Sequence, residues 1–246
     1  YHLANTGEQR RELLTLLQER AHSEQPEICF DTETTGLDAN RCELVGMSFS
    51  VKAHEAWYVP FPPAREEALA ILSEFQSLFE HPGITWIGQN TKFDLLVLKN
   101  YGVDVKGSLF DTMLAHYCFE PEGKRSMDLL SEKYLHYTPV SIEELIGKKG
   151  KNQGNMRDVD LEKIKEYAGE DADITLQLKE LFQPLLKKHE VEKVFQQVDT
   201  PLIKVLLDME YEGVRVDTAF LESYSKDLDV LAKESEESVY RQAGVR

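Results

Sequence analysis

Long apolar runs are missing from this 246-residue chain: none approaches the roughly 18 residues that a membrane span needs. Residues 1–25 also lack the basic start and apolar centre of a signal peptide, so the expected location is the cytoplasm, with no membrane partner. Cysteine is scarce. Cys29, Cys42 and Cys118 are an odd count without paired metal spacing, which fits reduced thiols used for packing. Basic residues are scarce as well: 28 Lys and Arg against 44 Asp and Glu give a formal charge of −16. Holding nucleic acid by bulk electrostatics needs clustered Lys and Arg, so any such grip must be local and short, or supplied by another part of a longer protein. The glycine-rich basic loop at 147–154 lacks the Gly-Lys-Ser/Thr ending of a nucleotide-binding P-loop. Internal repeats and low-complexity linkers are absent from the sequence.

What is present is an ordinary globular composition, 41% hydrophobic, enough to bury a sizeable core. The chain is organised around Ile28-Cys29-Phe30-Asp31-Thr32-Glu33-Thr34-Thr35-Gly36-Leu37, where two carboxylates end an apolar run. Ile28, Cys29 and Phe30 read as a buried strand closed by a Thr-Thr-Gly turn. Residues two apart on a strand share a face, so Asp31 and Glu33 point the same way. Two carboxylates that close repel, and either one takes up a proton or a hard divalent cation such as Mg²⁺ or Mn²⁺ sits between them. An isolated Asp-x-Glu is equally compatible with two solvated acids at a surface strand end.

Around this stretch the periodicities alternate between strand and helix. Residues 7–20 form an amphipathic helix. Leu44 to Val51 and Ala56 to Phe61 are β-rich runs joined as a hairpin by Lys52-Ala53-His54-Glu55, which with the first strand makes an antiparallel meander. A helix follows from Ala64 to Phe79. Ile84 to Gly88 is a further strand, and Asn90 stands as N-cap of a helix from Thr91 to about Tyr101. Leu109 to Phe119 and Met127 to Tyr137 read as helices started or capped by Asp111 and Asp128. Beyond Pro184 the chain is helical to Glu212, extended over 213–217, and helical again to Arg246.

Two more acidic groups stand out. Asp94 lies among Phe93, Leu95, Leu96, Val97 and Leu98, where an acid needs either a buried partner or only the favour of a helix N-terminus. Glu166-Tyr167-Ala168-Gly169-Glu170-Asp171-Ala172-Asp173 packs four acids into eight residues, a pattern that usually marks a solvated face. Ile164, Ala168, Thr175, Leu178 and Phe182 trace one helical stripe, and Asp171 fills its gap with Tyr167 four residues before it. Glu170 and Asp173 fall about 100° and 200° from Asp171 and are expected in solvent, with little effect when replaced. Gly169 costs roughly 1 kcal/mol of helix propensity, which a close approach by backbone or substrate would justify. The 147–154 loop is either solvated or touches a phosphate backbone.

Taken together, three motifs closely resemble the proofreading 3′–5′ exonuclease domain of bacterial family A DNA polymerases: Phe30-Asp31-Thr32-Glu33-Thr34, Gly88-Gln89-Asn90-Thr91-Lys92-Phe93-Asp94 and Tyr167-Ala168-Gly169-Glu170-Asp171-Ala172-Asp173. Phe110-Asp111-Thr112-Met113-Leu114 and Gly150-Lys151-Asn152-Gln153 are similar to further family segments. The resemblance covers residues 24–190, with 1–23 as an N-terminal linker and helix, and 191–246 resembles the truncated start of a polymerase domain. It implies an α/β, ribonuclease-H-like fold with a mixed central sheet flanked by helices and a helical C-terminal extension. It also implies two bound ions, Mg²⁺ or Mn²⁺. Asp31, Glu33 and Asp171 would hold one, and Asp31 the other with help from Asp94. Tyr167 and Glu33 would orient the attacking water, while Leu37, Asn90 and Phe93 would lie against the terminal nucleotides. Phe93 departs from the Tyr that the family often carries, which touches only one substrate hydrogen bond. The implied partners are single-stranded DNA 3′ ends and the polymerase domain of the same full-length chain.

Two rivals remain at this stage. One is a 3′–5′ exoribonuclease of the same superfamily, resembling ribonuclease D, which the motifs alone do not separate from a DNA enzyme. The other is a non-catalytic scaffold that has lost its carboxylates, against which all four acids and Tyr167 stand.

Overall fold

A computed structural model describes residues 1–150 and 153–244. The chain divides into two compact units, Tyr1–Tyr211 and Glu212–Arg246. In the first, β1 (His2–Leu3) leads to α1 (Gly7–Ala21), which begins at a capping box made by Thr6 and Gln9. Then come β2 (Glu27–Thr34), β3 (Leu44–Lys52), β4 (Glu55–Pro60), α2 (Arg65–Phe79), β5 (Thr85–Gly88), α3 (Thr91–Asn100), β6 (Ser108–Asp111) and α4 (Thr112–Phe119). The short helices α5 (Met127–Leu130) and α6 (Ile142–Ile146) precede the long α7 (Leu161–Lys188), and α8 (Glu192–Val194) and α9 (Thr200–Glu212) follow. The second unit consists chiefly of α10 (Thr218–Ala243), capped by the Asp217 side chain accepting from the Phe220 amide. No helix among the described residues is long and apolar enough to cross a membrane.

The strands form a mixed sheet in the order β1-β4-β3-β2-β5-β6. β2 to β4 are the expected antiparallel meander, whereas β1, β5 and β6 pair parallel to their neighbours. β2 is central and fully flanked, and its alternation divides the core. Phe30 points to one layer and packs edge-on against Phe79 and Trp86, at 5.6 and 5.4 Å between ring centroids. Cys29 points to the other, among Ile87, Phe110, Leu178 and Phe182, under α7 and α4. Asp31 and Glu33 continue the Cys29 face and so emerge beneath α7.

Two expectations are corrected, and one strand is new. Leu109 and Phe110 belong to β6, and the helix starts at Thr112 with Asp111 as its N-cap: beside β5, two apolar residues complete a parallel ladder before the turn. The stretch from Met127 is α5 continued by a single π-helical turn, Ser131–Leu135, ending where His136 adopts a left-handed φ of 54°. β1 escapes sequence periodicity because two residues carry none; its edge pairing with β4 holds it.

Candidate active site

Strand β2 delivers Asp31 and Glu33, and α7 crosses its end to deliver Tyr167 and Asp171. One carboxylate oxygen from each of Asp31, Glu33 and Asp171 lies within 4.8 Å of the others. Gly46 opposes Glu33 across the β2–β3 ladder. A Cβ there would meet the Tyr58 ring at 2.1–2.3 Å, so glycine is what lets that ring fill the space behind Glu33.

Burial dominates the electrostatics of these acids. It pushes the carboxyl groups of Asp31, Glu33 and Asp171 well above the usual range, and the charges of the neighbouring carboxylates add to it. Glu33 Oε1 is buried with no hydrogen-bond partner among the described residues, which leaves its desolvation cost without an offset there. Such a donor set fits a hard divalent cation: all ligands are oxygens, negatively charged, and one is already stripped of other partners.

Asp94 stands one step behind the trio. It is buried, and its Oδ1 accepts from the Thr32 amide at 3.1 Å and the Thr32 hydroxyl at 2.5 Å. Thr32 lies on the opposite face of β2 from Asp31 and Glu33, so this contact fastens α3 to the strand end from the far side. Burial raises the Asp94 carboxyl to about 7, opposed by the Thr32 hydrogen bonds. Tyr167 is pushed far above its ordinary value by burial first, then by Asp171, Glu33 and Asp31. Its phenol is therefore a permanent donor at neutral pH.

A cleft of about 720 Å³ opens over the trio and is shared by Asp31, Glu33, Tyr167 and Asp171 with Leu37, Asn90 and Phe93. Seven of the eight expected site residues thus meet in one cavity, and Asp94 supports it from behind. Leu37 stands 89% exposed at the rim. Lys149 and Gln153 of the glycine-rich loop also line the cleft, while Lys151 and Asn152, within the Gly150-Lys151-Asn152-Gln153 segment and the 147–154 loop, lie outside the described residues.

Asn90 occupies the N-cap position of α3 but in a left-handed conformation, φ 62°, and its side chain makes no cap bond. Asp111 does that work instead: its Oδ2 accepts from the Thr91 amide and hydroxyl at 2.7 and 2.8 Å, and its Oδ1 caps α4 through the Met113 and Leu114 amides. One buried acid thus starts two helices, and the Asn90 side-chain carboxamide, which makes no cap bond, lines the cleft. The capping of α4 by Asp111 agrees with the sequence reading; its second role at α3 and the role of Thr32 depend on contacts 20 and 62 residues apart that no local pattern carries.

The expectation that Glu170 and Asp173 are solvated is overturned. They are 4% and 3% exposed. Glu170 accepts from the Tyr137 hydroxyl at 2.5 Å and the Val140 amide at 2.7 Å. Asp173 accepts from the Tyr1 hydroxyl, the His54 amide and the Gln177 side chain, each at 2.8 Å. Gly169 is explained by the same cluster, since a Cβ there would meet the Tyr1 ring at 2.7–2.9 Å.

A mixed six-stranded sheet flanked by helices, with buried carboxylates converging at the end of its central strand, defines a ribonuclease-H-like fold. The chain belongs to the exonuclease family of the DNA polymerase A group, whose model, described as "3'-5' exonuclease", matches residues 6–188. Among curated proteins it is 36% identical to DNA polymerase I of Borreliella burgdorferi, over 89% of this chain and 24% of that protein. It is 35% identical to DNA polymerase I of Pseudomonas aeruginosa, over 88% of this chain and 25% of that protein. The chain therefore spans about a quarter of the length of these relatives. Among solved structures, Pol1 from M. smegmatis superposes with a TM-score of 0.72 at 19% identity, over 96% of this chain and 37% of that one. Brucella melitensis NrnC does so with 0.64 at 19% identity, over 77% and 87%. These structures share the fold.

Proposed function

We propose that the chain removes nucleotides from DNA 3′ ends by two-metal-ion phosphodiester hydrolysis, as the proofreading part of a longer family A DNA polymerase. The observation that carries the reading is the Asp31, Glu33 and Asp171 trio with Glu33 Oε1 buried and unpartnered. Asp31, Glu33 and Asp171 would hold one Mg²⁺ or Mn²⁺, and Asp31, supported by Asp94, the second. Bound there, the ions supply a more acidic water, a neutralised phosphate and a stabilised leaving 3′-oxygen. A relative whose structure carries bound Mg²⁺, Brucella melitensis NrnC, supports metal dependence.

The protein's own residues do the rest. Tyr167, held neutral, donates a hydrogen bond that fixes the attacking water, and Glu33 accepts from it. Leu37 and Phe93 offer apolar surface on which unpaired bases stack. Asn90, its amide released from capping duty, can bond a terminal nucleotide, and Lys149 faces the cleft as a cation for a backbone phosphate. An acidic pocket accepts an anionic strand because cations in the site invert the local charge.

The exoribonuclease reading keeps one supporting observation: the fold is shared with NrnC bound to pGG and with the catalytic core of RRP6 from Trypanosoma brucei. A matched pair of 5′-labelled DNA and RNA single strands, incubated with Mg²⁺ or Mn²⁺ and with a chelator control, separates the two. Stepwise 3′ shortening of DNA is expected. Faster loss of RNA overturns the DNA assignment, and an inert chain on both strands overturns the nuclease reading in favour of a scaffold.

A further inference from the structure

Every metal ligand brought by α7 depends on the rotation and height of that helix. Asp171 faces the strand ends, and a shift of one residue would carry it about 100° away. Apolar packing along the stripe resists rotation only softly, because methyl and phenyl groups slide at small cost, whereas hydrogen bonds between buried groups tolerate little displacement. The fixed points of α7 should therefore be sought among buried polar groups near Asp171. Among the described residues, two such groups lie within two residues of it, Glu170 and Asp173, while the buried Thr175 and Lys179 sit further along the helix.

Their partners come from separate parts of the fold. Asp173 is tied to the tip of the β3–β4 connection by the His54 amide, to the edge strand β1 by the Tyr1 hydroxyl, and to its own helix by Gln177. Glu170 is tied to the segment that leads into α6 by the Tyr137 hydroxyl and the Val140 amide. Tyr1 adds a steric stop, its ring lying where a side chain on residue 169 would go. Neither Glu170 nor Asp173 lines the cleft over the trio; they sit about 100° and 200° round α7 from Asp171. His54 itself has a left-handed φ of 66°, a strained conformation for a non-glycine residue, and in it presents its amide to Asp173.

We propose that Asp173 and Glu170, with Tyr1 and Tyr137 as their donors, are positioning residues that lock the register of α7 and thereby set the geometry with which Asp171 and Tyr167 meet Asp31 and Glu33. The inference rests on the metal-dependent nuclease reading. It makes the N-terminal edge strand part of the catalytic apparatus: the first residue of the chain is fastened two positions from a metal ligand. Loosening the lock should weaken metal binding and turnover together and leave the KM for DNA unchanged, because the nucleotide-facing residues Leu37, Asn90 and Phe93 sit on other elements.

The test compares Asp173→Ala, Asp173→Asn and Tyr1→Phe in the full chain. Mn²⁺ affinity is read by electron paramagnetic resonance titration of the DNA-free protein, alongside kcat and KM on a labelled DNA single strand, well below the melting temperature of each variant. Loss of partners that orient a ligand costs on the order of tenfold in metal affinity, and this is expected for Asp173→Ala in both affinity and kcat. Asp173→Asn should recover most of it, since its oxygen can still accept from His54 and its amide can donate to the Tyr1 oxygen. Tyr1→Phe, which keeps the ring, should fall between. A folded Asp173→Ala with wild-type Mn²⁺ affinity and kcat overturns the proposal, as does one that only melts earlier; should that variant not fold, the same results in Tyr1→Phe decide. Wild-type protein that binds Mn²⁺ yet cleaves neither DNA nor RNA would refute the nuclease reading, and the Mn²⁺ titration would still judge the lock.

Discussion

Replacing Asp94 by Asn removes the cost of burying its charge in the metal-free protein. Its carboxyl is raised from the usual 3.8 to about 7 in the fold. The folded state therefore keeps a proton that the unfolded chain has already released. The stability it contributes is complete below the unfolded value and is lost as pH climbs through the folded value. At about 1.4 kcal/mol per pH unit the whole effect is on the order of 4 kcal/mol, of which about 3 kcal/mol falls between pH 5 and pH 8. Asn keeps an oxygen for the Thr32 amide and hydroxyl and carries no charge, so Asp94→Asn escapes that loss. The assay is urea unfolding in chelator at the two pH values, followed by tryptophan fluorescence, since Trp57 and Trp86 both lie in the Tyr1–Tyr211 unit. With an m-value of about 3 kcal/mol per M, the midpoint of the wild-type chain should fall by about 1 M more than that of the variant. The Asp94 charge also helps to raise Asp31 and Glu33, so the difference between the two proteins reports the burial of the Asp94 charge together with its repulsion of those two carboxylates. Equal falls in the two proteins would refute the claim that this carboxyl is held neutral by burial.

Other outcomes follow from the same geometry. Asp31→Ala and Asp171→Ala should each abolish exonuclease activity while melting no earlier than wild type in chelator at pH 8, because each relieves repulsion and burial of charge; wild-type rates in either variant would remove it from the metal site. Tyr167→Phe should lower kcat by roughly 100-fold with KM nearly unchanged, as loss of a positioned proton donor does, and single-turnover rates check it. Gly46→Ala should cost about 2–3 kcal/mol of unfolding free energy by driving the Tyr58 ring from behind Glu33, measured by the shift in urea midpoint. At pH 8, saturating Mn²⁺ should raise the melting temperature more than at pH 5, where protons compete for the same oxygens.

What could be read from the sequence, and what could not, divides along one physical line. The face shared by Asp31 and Glu33 follows from strand geometry alone, and the register of Asp171 follows from an apolar stripe, since both are local periodicities. β1 escapes because two residues carry no period, and β6 because its Leu109 and Phe110 run on into the apolar pattern of α4; in both, the pairing that makes a strand comes from neighbours elsewhere in the chain. Asn90 was read as a cap from its residue type, whereas its left-handed backbone and the carboxylate of Asp111, some twenty residues on, hand that duty to another side chain. The misreading of Glu170 and Asp173 has the same root. Periodicity of apolar residues says which side of a helix meets hydrocarbon, and it assigns every acid off that side to water. Whether an acid is buried depends instead on donors able to satisfy it, and those of Asp173 are 172 and 119 residues away at Tyr1 and His54. An acidic run beside a metal ligand is therefore ambiguous until its donors are found. Residue spacing informs only as far as the helix surface, and the second side of α7, the one proposed to fix where Asp171 points, is written in residues that only the fold brings to it.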